Sequence, residues 1–172
     1  VYKRQDIVAS FIGLILLSPL MLIVSILIKL ESKGEVIFKQ KRVGLNGKEF
    51  YMYKFRSMVI NAEELKAELE SKNEMSGPMF KIKDDPRITK VGNLIRKTSI
   101  DELPQLINVI KGDMSLVGPR PSLQKEVEKF EPWMMERLKV KPGLTCIWQI
   151  SGRNNIGFEE WMKLDIKYVR ER

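Results

Sequence analysis

Ile7-Val8-Ala9-Ser10-Phe11-Ile12-Gly13-Leu14-Ile15-Leu16-Leu17-Ser18-Pro19-Leu20-Met21-Leu22-Ile23-Val24-Ser25-Ile26-Leu27-Ile28 runs for 22 residues without a charge. That is long enough for a helix to cross a bilayer. Two features speak against a plain span. Lys3 and Arg4 precede the run, and Lys29 and Lys33 follow it, so the preference of basic residues for the cytoplasmic side places both ends together. Pro19 lies near the centre, where it lacks an N–H and crowds the preceding turn. The Ser18 hydroxyl can occupy a carbonyl that Pro19 leaves unbonded, which lipid would otherwise make costly. The expectation is a re-entrant helix broken at Ser18-Pro19 that enters the membrane and returns on the same side. A proline-kinked spanning helix is the alternative. A secretory signal fits poorly, because no small-residue cleavage site follows.

Outward from this segment, 172 residues leave room for one domain besides the membrane element. We expect residues 1–34 to form the membrane helix and its flank, and residues 35–172 to form a catalytic domain on the membrane surface, the two acting as one unit. Val1 in place of a starting Met makes a trimmed or fragmentary N-terminus the expectation. The net charge of +8 suits nucleic acid, anionic lipid or a phosphorylated substrate without choosing among them. Histidine is absent, which removes His-based triads, acids and metal ligands. The single cysteine, Cys146, excludes internal disulfides and cysteine-cluster zinc sites, and its apolar neighbours mark it as a buried thiol. Any bound metal should be a hard cation on oxygen ligands, Mg²⁺ first.

The remaining chain reads as α+β, mostly helical, with one small β-hairpin and amphipathic surface helices. The hairpin covers Glu35 to Phe55, turning at Gly44-Leu45-Asn46-Gly47. Period two puts Phe50, Met52, Lys54 and Arg56 on one face, so Lys54 and Arg56 can converge on one ligand. Asn61 to Lys72 reads as a charged cover helix, and Ser76-Gly77-Pro78 as a break. Asp84-Asp85-Pro86 is expected to start a helix with an Ile88, Val91, Ile95 stripe that delivers Arg96 and Lys97. Leu103, Leu106, Ile107 and Ile110 mark another helix, closed at Gly112. Ser122 to Lys139 reads as helix interrupted at Pro132, where Trp133, Met134 and Met135 suit either an interfacial helix or a core. Phe158 to Val169 reads as a last amphipathic helix.

The chemistry concentrates in Thr98-Ser99-Ile100-Asp101-Glu102-Leu103-Pro104-Gln105. Taking Asp101 as N-cap puts Pro104 where its missing N–H costs nothing. The helix dipole should then keep Asp101 ionised, fit to act as a nucleophile or metal ligand. A plain helix cap is the competing account of Asp101. Glu102 points about 100° around the axis and should have a separate role. Arg96, Arg120 in Gly118-Pro119-Arg120-Pro121, and Arg153 in Ser151-Gly152-Arg153-Asn154 supply cations on short turns. Together with Lys54 and Arg56 they suit a diphosphate.

These residues resemble the catalytic domain of the bacterial sugar transferases, the monotopic phosphoglycosyl transferases. The likeness runs from Asp6 to about Tyr168. It is carried by Asp6…Ser10…Ser18-Pro19, Phe38 to Gly44, Lys54-Phe55-Arg56-Ser57-Met58, Arg96 to Gln105, Gly112 to Pro121, Lys141-Pro142-Gly143-Leu144-Thr145 and Ser151 to Asn154. The resemblance implies transfer of a sugar-1-phosphate from a UDP-sugar to undecaprenyl phosphate, releasing UMP, early in polysaccharide assembly. It implies Asp101 as nucleophile in a covalent phosphosugar intermediate, Glu102 as Mg²⁺ ligand, and Lys54, Arg56, Arg96, Arg120 and Arg153 as phosphate or nucleotide binders. It further implies a monotopic protein on the cytoplasmic face of the bacterial inner membrane, contacting membrane lipid and no nucleic acid. A homodimer is permitted but not required. A non-catalytic module that binds anionic lipid or nucleic acid is the alternative from another class, and hydrolysis of the UDP-sugar is a third reading.

Overall fold

The computed structural model describes residues 2–68, 82, 85–151 and 156–171. A single helix, α1 (Tyr2–Glu31), takes up the whole apolar segment with Pro19 inside it. At 1.5 Å per residue it is about 45 Å long. The helix continues through Ser18 and Pro19, where the sequence reading places a break. The local chemistry is the expected one. Ser18 Oγ donates to the Ile15 carbonyl at 2.8 Å, the acceptor that a residue-19 N–H would otherwise engage.

One stripe of α1 faces the rest of the molecule. Ser10, Val24 and Ile28 are buried, and Asp6, Gly13, Leu14, Leu17 and Met21 are half-buried at helical spacing between them. The opposite face exposes Val8, Phe11, Ile15, Leu16, Leu22 and Ile23. Two ties pin the helix near its ends. Ser115 Oγ donates to Asp6 Oδ2 at 2.5 Å, and the Glu31 carboxylate accepts the Val91 N–H at 3.1 Å.

Strands β1 (Ile37–Val43) and β2 (Glu49–Phe55) form the antiparallel hairpin, in register from Ile37 opposite Phe55 to Val43 opposite Glu49. The reversal needs left-handed backbone at Asn46 (φ 56°) and Gly47 (φ 78°), which Asn and Gly adopt at low cost. Cross-strand pairing sets Arg42, Gln40 and Phe38 on the same face as Phe50, Met52 and Lys54. Met52 packs on Val109 and Met114. Phe55, on the other face, joins Val24, Ile28 and Ile95 in a core shared with the membrane helix.

Then come α2 (Ala62–Glu68), α3 (Lys90–Lys97), α4 (Gln105–Lys111), β3 (Ser115–Val117), α5 (Gln124–Val127), β4 (Gly143–Thr145), α6 (Ile147–Ile150) and α7 (Phe158–Glu171). The Ser76-Gly77-Pro78 break and the end of the cover helix lie outside the described residues. Helix α3 starts at Lys90, not at Asp84-Asp85-Pro86. Thr89 is its N-cap, accepting from the Gly92 N–H at 2.9 Å, while the Asp85 carboxylate is taken up by Arg87. The segment read as helix from Ser122 to Lys139 is largely not α-helix. It holds α5 and a 3₁₀ run, Met134–Lys139, because Pro132 disfavours helical backbone at Glu131. There Met134 is buried against Trp161 and Met162, with Trp133 packed beside them, so the core account holds for those two, while Met135 is exposed.

Strands β3 and β4 pair in parallel, an element the sequence reading did not include. The pairing needs glycine on both sides. A Cβ on Gly118 would lie 2.5 Å from the Lys141 carbonyl oxygen, and one on Gly143 would lie 2.1 Å from the Gly118 nitrogen. This close approach ties the Gly118-Pro119-Arg120-Pro121 turn to Lys141-Pro142-Gly143.

Candidate active site

Asp101 and Glu102 do not open an α-helix. They lie in a 3₁₀ turn, Ile100–Glu102, and α4 follows with Pro104 at its N-cap. Ser99, in front of the turn, adopts left-handed backbone (φ 59°, ψ 16°). Such a conformation costs on the order of 1 kcal/mol or more for a residue with a Cβ. The pair is therefore set by a strained corner between α3 and α4 rather than by a helix terminus.

Asp101 is buried, with 8% of its surface exposed. Burial pushes its carboxyl above the usual aspartate range; Lys54 draws it back and Glu102 pushes it further up. This revises the expectation of a carboxylate kept low by a helix dipole. Glu102 is half-buried, and its Oε1 accepts from Lys54 Nζ at 2.8 Å. Burial holds the Lys54 ammonium below its usual range, Arg120 adds to that effect, and Glu102 opposes it.

The hairpin is locked to the dyad by Asn108, which is fully buried on α4. Its Nδ2 donates to the Tyr51 carbonyl at 2.7 Å, and its Oδ1 accepts the Tyr53 N–H at 3.0 Å. One side chain thus satisfies the free edge of β2 and fixes the strand residue just before Lys54. Asn108 was not singled out from sequence. Its signal was an amide between Ile107 and Val109 in the apolar stretch of α4.

The predicted cations divide into three groups. Lys54, Arg96 and Arg120 belong to the dyad: Arg96 and Lys54 act electrostatically on Asp101, and Arg120 on Lys54. Arg56 faces the exit of α1 instead. It donates through Nη2 to the Ser32 carbonyl at 2.9 Å and through Nη1 to the Lys33 carbonyl at 2.7 Å. Lys54 and Arg56, read as converging, are thus engaged by different partners. Arg153 lies outside the described residues.

Two arginines that the sequence reading assigned no role complete the surroundings. Arg42, on β1, donates to the Pro121 carbonyl at 3.1 Å and to Gln40 Oε1 at 2.6 Å. Burial and the neighbouring Arg120 lower its guanidinium to about 10. Arg137 donates to the Arg120 carbonyl at 2.7 Å, to Ser122 Oγ at 2.5 Å and to Asp165 Oδ2 at 2.6 Å. Cys146 is buried, its thiol pushed up to about 12 by burial, which holds it protonated and inert.

Among the described residues no group of three or more metal-ligating side chains comes together. Mg²⁺ commonly binds through one or two carboxylates, completed by waters and substrate phosphates. The partly exposed Glu102 carboxylate fits that mode as a single protein ligand. An open cavity of about 870 Å³, lined by residues such as Trp133, Met134, Phe158, Ile166 and Arg170, includes none of the dyad cluster.

The model of the family described as "Bacterial sugar transferase" matches residues 1–172. A protein named galactosyl transferase CpsE, from Streptococcus agalactiae serotype III, is 53% identical over 167 residues, 96% of this chain and 37% of that protein. The undecaprenyl-phosphate galactose phosphotransferase of Salmonella typhimurium is 47% identical over 172 residues, 98% of this chain and 36% of that protein. An Aeromonas hydrophila protein named UDP-N-acetylgalactosamine-undecaprenyl-phosphate N-acetylgalactosaminephosphotransferase is 47% identical over 146 residues, 83% of this chain and 32% of that protein. The chain thus spans about a third of the length of these curated relatives. With a buried Asp101 beside a half-buried Glu102 and the family's model matched from end to end, this chain belongs to the bacterial sugar transferases.

Proposed function

We propose that this chain is a phosphoglycosyl transferase, moving a sugar-1-phosphate from a UDP-sugar to undecaprenyl phosphate and releasing UMP. The observation that carries the reading is the buried Asp101 beside the Lys54–Glu102 ion pair, within the field of Arg96 and Arg120. A carboxylate short of solvent and flanked by cations is suited to attack an anionic phosphorus that bulk water would shield. The names of the Salmonella and Aeromonas relatives support the donor and acceptor classes.

In the first half-reaction an Asp101 carboxylate oxygen attacks the β-phosphorus. The bond from that phosphorus to the bridging oxygen breaks, UMP leaves, and an acyl phosphate bearing the sugar remains on Asp101. In the second, an oxygen of the lipid phosphate attacks the same phosphorus and expels the Asp101 carboxylate. Lys54, Arg96 and Arg120, with Arg153 as a further cationic candidate, bind the diphosphate and offset the charge that builds on it; Arg56 is committed to the exit of α1. Glu102 would hold Mg²⁺, which when bound supplies Lewis-acid neutralisation of phosphate oxygens. Incoming donor phosphates would compete with Glu102 for Lys54, so the ion pair preserves both groups in register before substrate arrives.

The membrane arrangement belongs to the same proposal. Helix α1 is long and apolar enough to cross a bilayer, yet contacts near both its ends lie on one compact body. That supports a monotopic placement on the cytoplasmic face of the inner membrane; in lipid, a re-entrant path would need α1, continuous here, to bend at Ser18-Pro19. The outer apolar face of α1 meets lipid, and the dyad sits near the headgroup where a polyprenyl phosphate presents its charge. A passive surface module gives no reason to bury Asp101 beside a Lys54–Glu102 ion pair. The test is UMP release from a panel of UDP-sugars with Mg²⁺, with and without undecaprenyl phosphate. Lipid-dependent UMP from wild type is expected; UMP formed equally without lipid would indicate hydrolysis.

A further inference from the structure

We propose that Arg42 is a positioning residue for the nucleotide-phosphate site: it sets Arg120 by holding the backbone of the turn that carries it. This deepens the functional reading above and rests on it. The turn Gly118-Pro119-Arg120-Pro121 is gripped at successive carbonyls by two guanidiniums from different parts of the fold. Arg137 takes the carbonyl of Arg120, and Arg42 takes that of Pro121. Beyond the turn, the Val43 N–H donates to the Ser122 carbonyl at 2.8 Å. The hairpin strand that carries Arg42 is therefore bonded to the chain at residues 121 and 122.

Placing Arg42 here is unfavourable electrostatically. It is nearly buried, its Nε has no hydrogen-bond partner, and it feels the like charge of Arg120. Glu126 lies 4.0 Å from Nη1 and Glu102 also acts on it, which offsets part of that cost. A merely structural donor to one carbonyl could have been a neutral amide. A charge kept against burial and repulsion is instead one that shapes the field between β1 and the turn. Arg42 holds the backbone of the Arg120 turn while repelling the Arg120 charge, and Arg120 in turn acts on Lys54. The hairpin thus contributes Lys54 to the site directly and Arg120 at second hand.

The experiment measures UDP binding to the detergent-solubilised full chain for wild type, Arg42→Met, Arg120→Gln and the double variant, alongside melting temperatures. Met keeps the apolar stem and removes every donor, and Glu126 keeps its bond from the Leu123 N–H at 2.7 Å. Arg42→Met and Arg120→Gln should each weaken UDP binding about 10-fold, and the double variant only about 10- to 20-fold rather than about 100-fold, since one acts through the other. Arg42→Lys, which restores a single charged donor, should recover part of the loss and guards against a misfolded Met variant. A lowered melting temperature with unchanged UDP affinity in Arg42→Met, or fully additive losses in the double variant, would overturn the proposal. Absence of UDP binding by wild type would instead overturn the functional reading and this inference with it. The two failures are distinguishable, because the Arg120 variant then has no affinity to lose.

Discussion

Two ionic clusters flank the Gly118–Pro121 turn, and they are built on different terms. In Arg137–Asp165 both side chains are 1% exposed, and the guanidinium spends its Nη donors on Asp165, Ser122 and the Arg120 carbonyl. In Lys54–Glu102 the side chains keep 17% and 21% exposure, and the neighbours include a buried aspartate and two further arginines. The first pair is closed and the second still faces solvent. A closed pair supports architecture; an open, charge-crowded one can exchange its partners for a ligand. Difference in closure, rather than in residue type, separates the structural charges from those we propose for the chemistry.

The largest expected effect breaks the comparison at the open cluster. Asp101→Asn should lower turnover by about 10⁴-fold or more, as loss of a nucleophile does, without loss of stability. The sign follows from burial: the folded carboxyl titrates above its unfolded value, so its contribution to stability is lost as pH rises through the folded value. Asparagine, which stays neutral, should match or exceed wild type in melting temperature at pH 7. For the same reason the acid limb of the wild-type kcat/KM profile should lie above the ordinary aspartate range.

Next in size is the closed pair. Arg137→Met should cost about 3–5 kcal/mol by denaturant titration, because Asp165 is left buried without its cation. Asp165 is held at about 6 by burial, with Arg137 opposing, against about 3.9 in an open chain. Its own contribution is therefore full below about pH 4 and lost as pH rises to about 6. The Arg137→Met penalty should shrink below about pH 6, where Asp165 is protonated in both proteins. A penalty independent of pH would contradict the ionic account.

Smaller still is Glu102→Gln, which keeps a hydrogen-bond acceptor for Lys54 and removes the charge. It should change stability by no more than about 1 kcal/mol, as for a partly exposed pair, while activity falls far more. Equal and small changes in both would place this pair with the structural charges. The mildest effect belongs to Ser18→Ala, which frees the Ile15 carbonyl beside Pro19. A loss of about 0.6 kcal/mol in detergent is expected, of the order measured for hydrogen bonds within membranes.

Legibility from sequence followed the range of the forces involved. The apolar extent of α1, though not its continuity through Pro19, the hairpin with its Gly44-Leu45-Asn46-Gly47 turn, the Gly112 cap and α7 were readable because composition, periodicity and turn chemistry are local. The parallel β3–β4 pairing was not. Its strands have three residues each, and they meet only because two distant glycines let backbones touch. The acidic pair was found from its residue types and neighbours, but its setting was misjudged. A helix cap predicts a lowered carboxyl, whereas a left-handed Ser99 and the surrounding core bury it and raise it. Arg42 and Asn108 were missed for a related reason. Arg42 ends a run of four polar residues in β1 and Asn108 shares α4 with Gln105, so neither stands out until the hairpin folds onto α4 and the turn.

The central claim is that Asp101 becomes covalently bonded to the transferred phosphosugar. It is tested most directly by incubating the protein with a turned-over UDP-sugar and Mg²⁺ in the absence of lipid acceptor, quenching, and mapping the adduct by mass spectrometry. The account predicts a phosphosugar on the peptide carrying Asp101, discharged by undecaprenyl phosphate and absent from Asp101→Asn. An adduct on another residue, or an Asp101→Asn protein that still transfers sugar-phosphate to lipid, would contradict it.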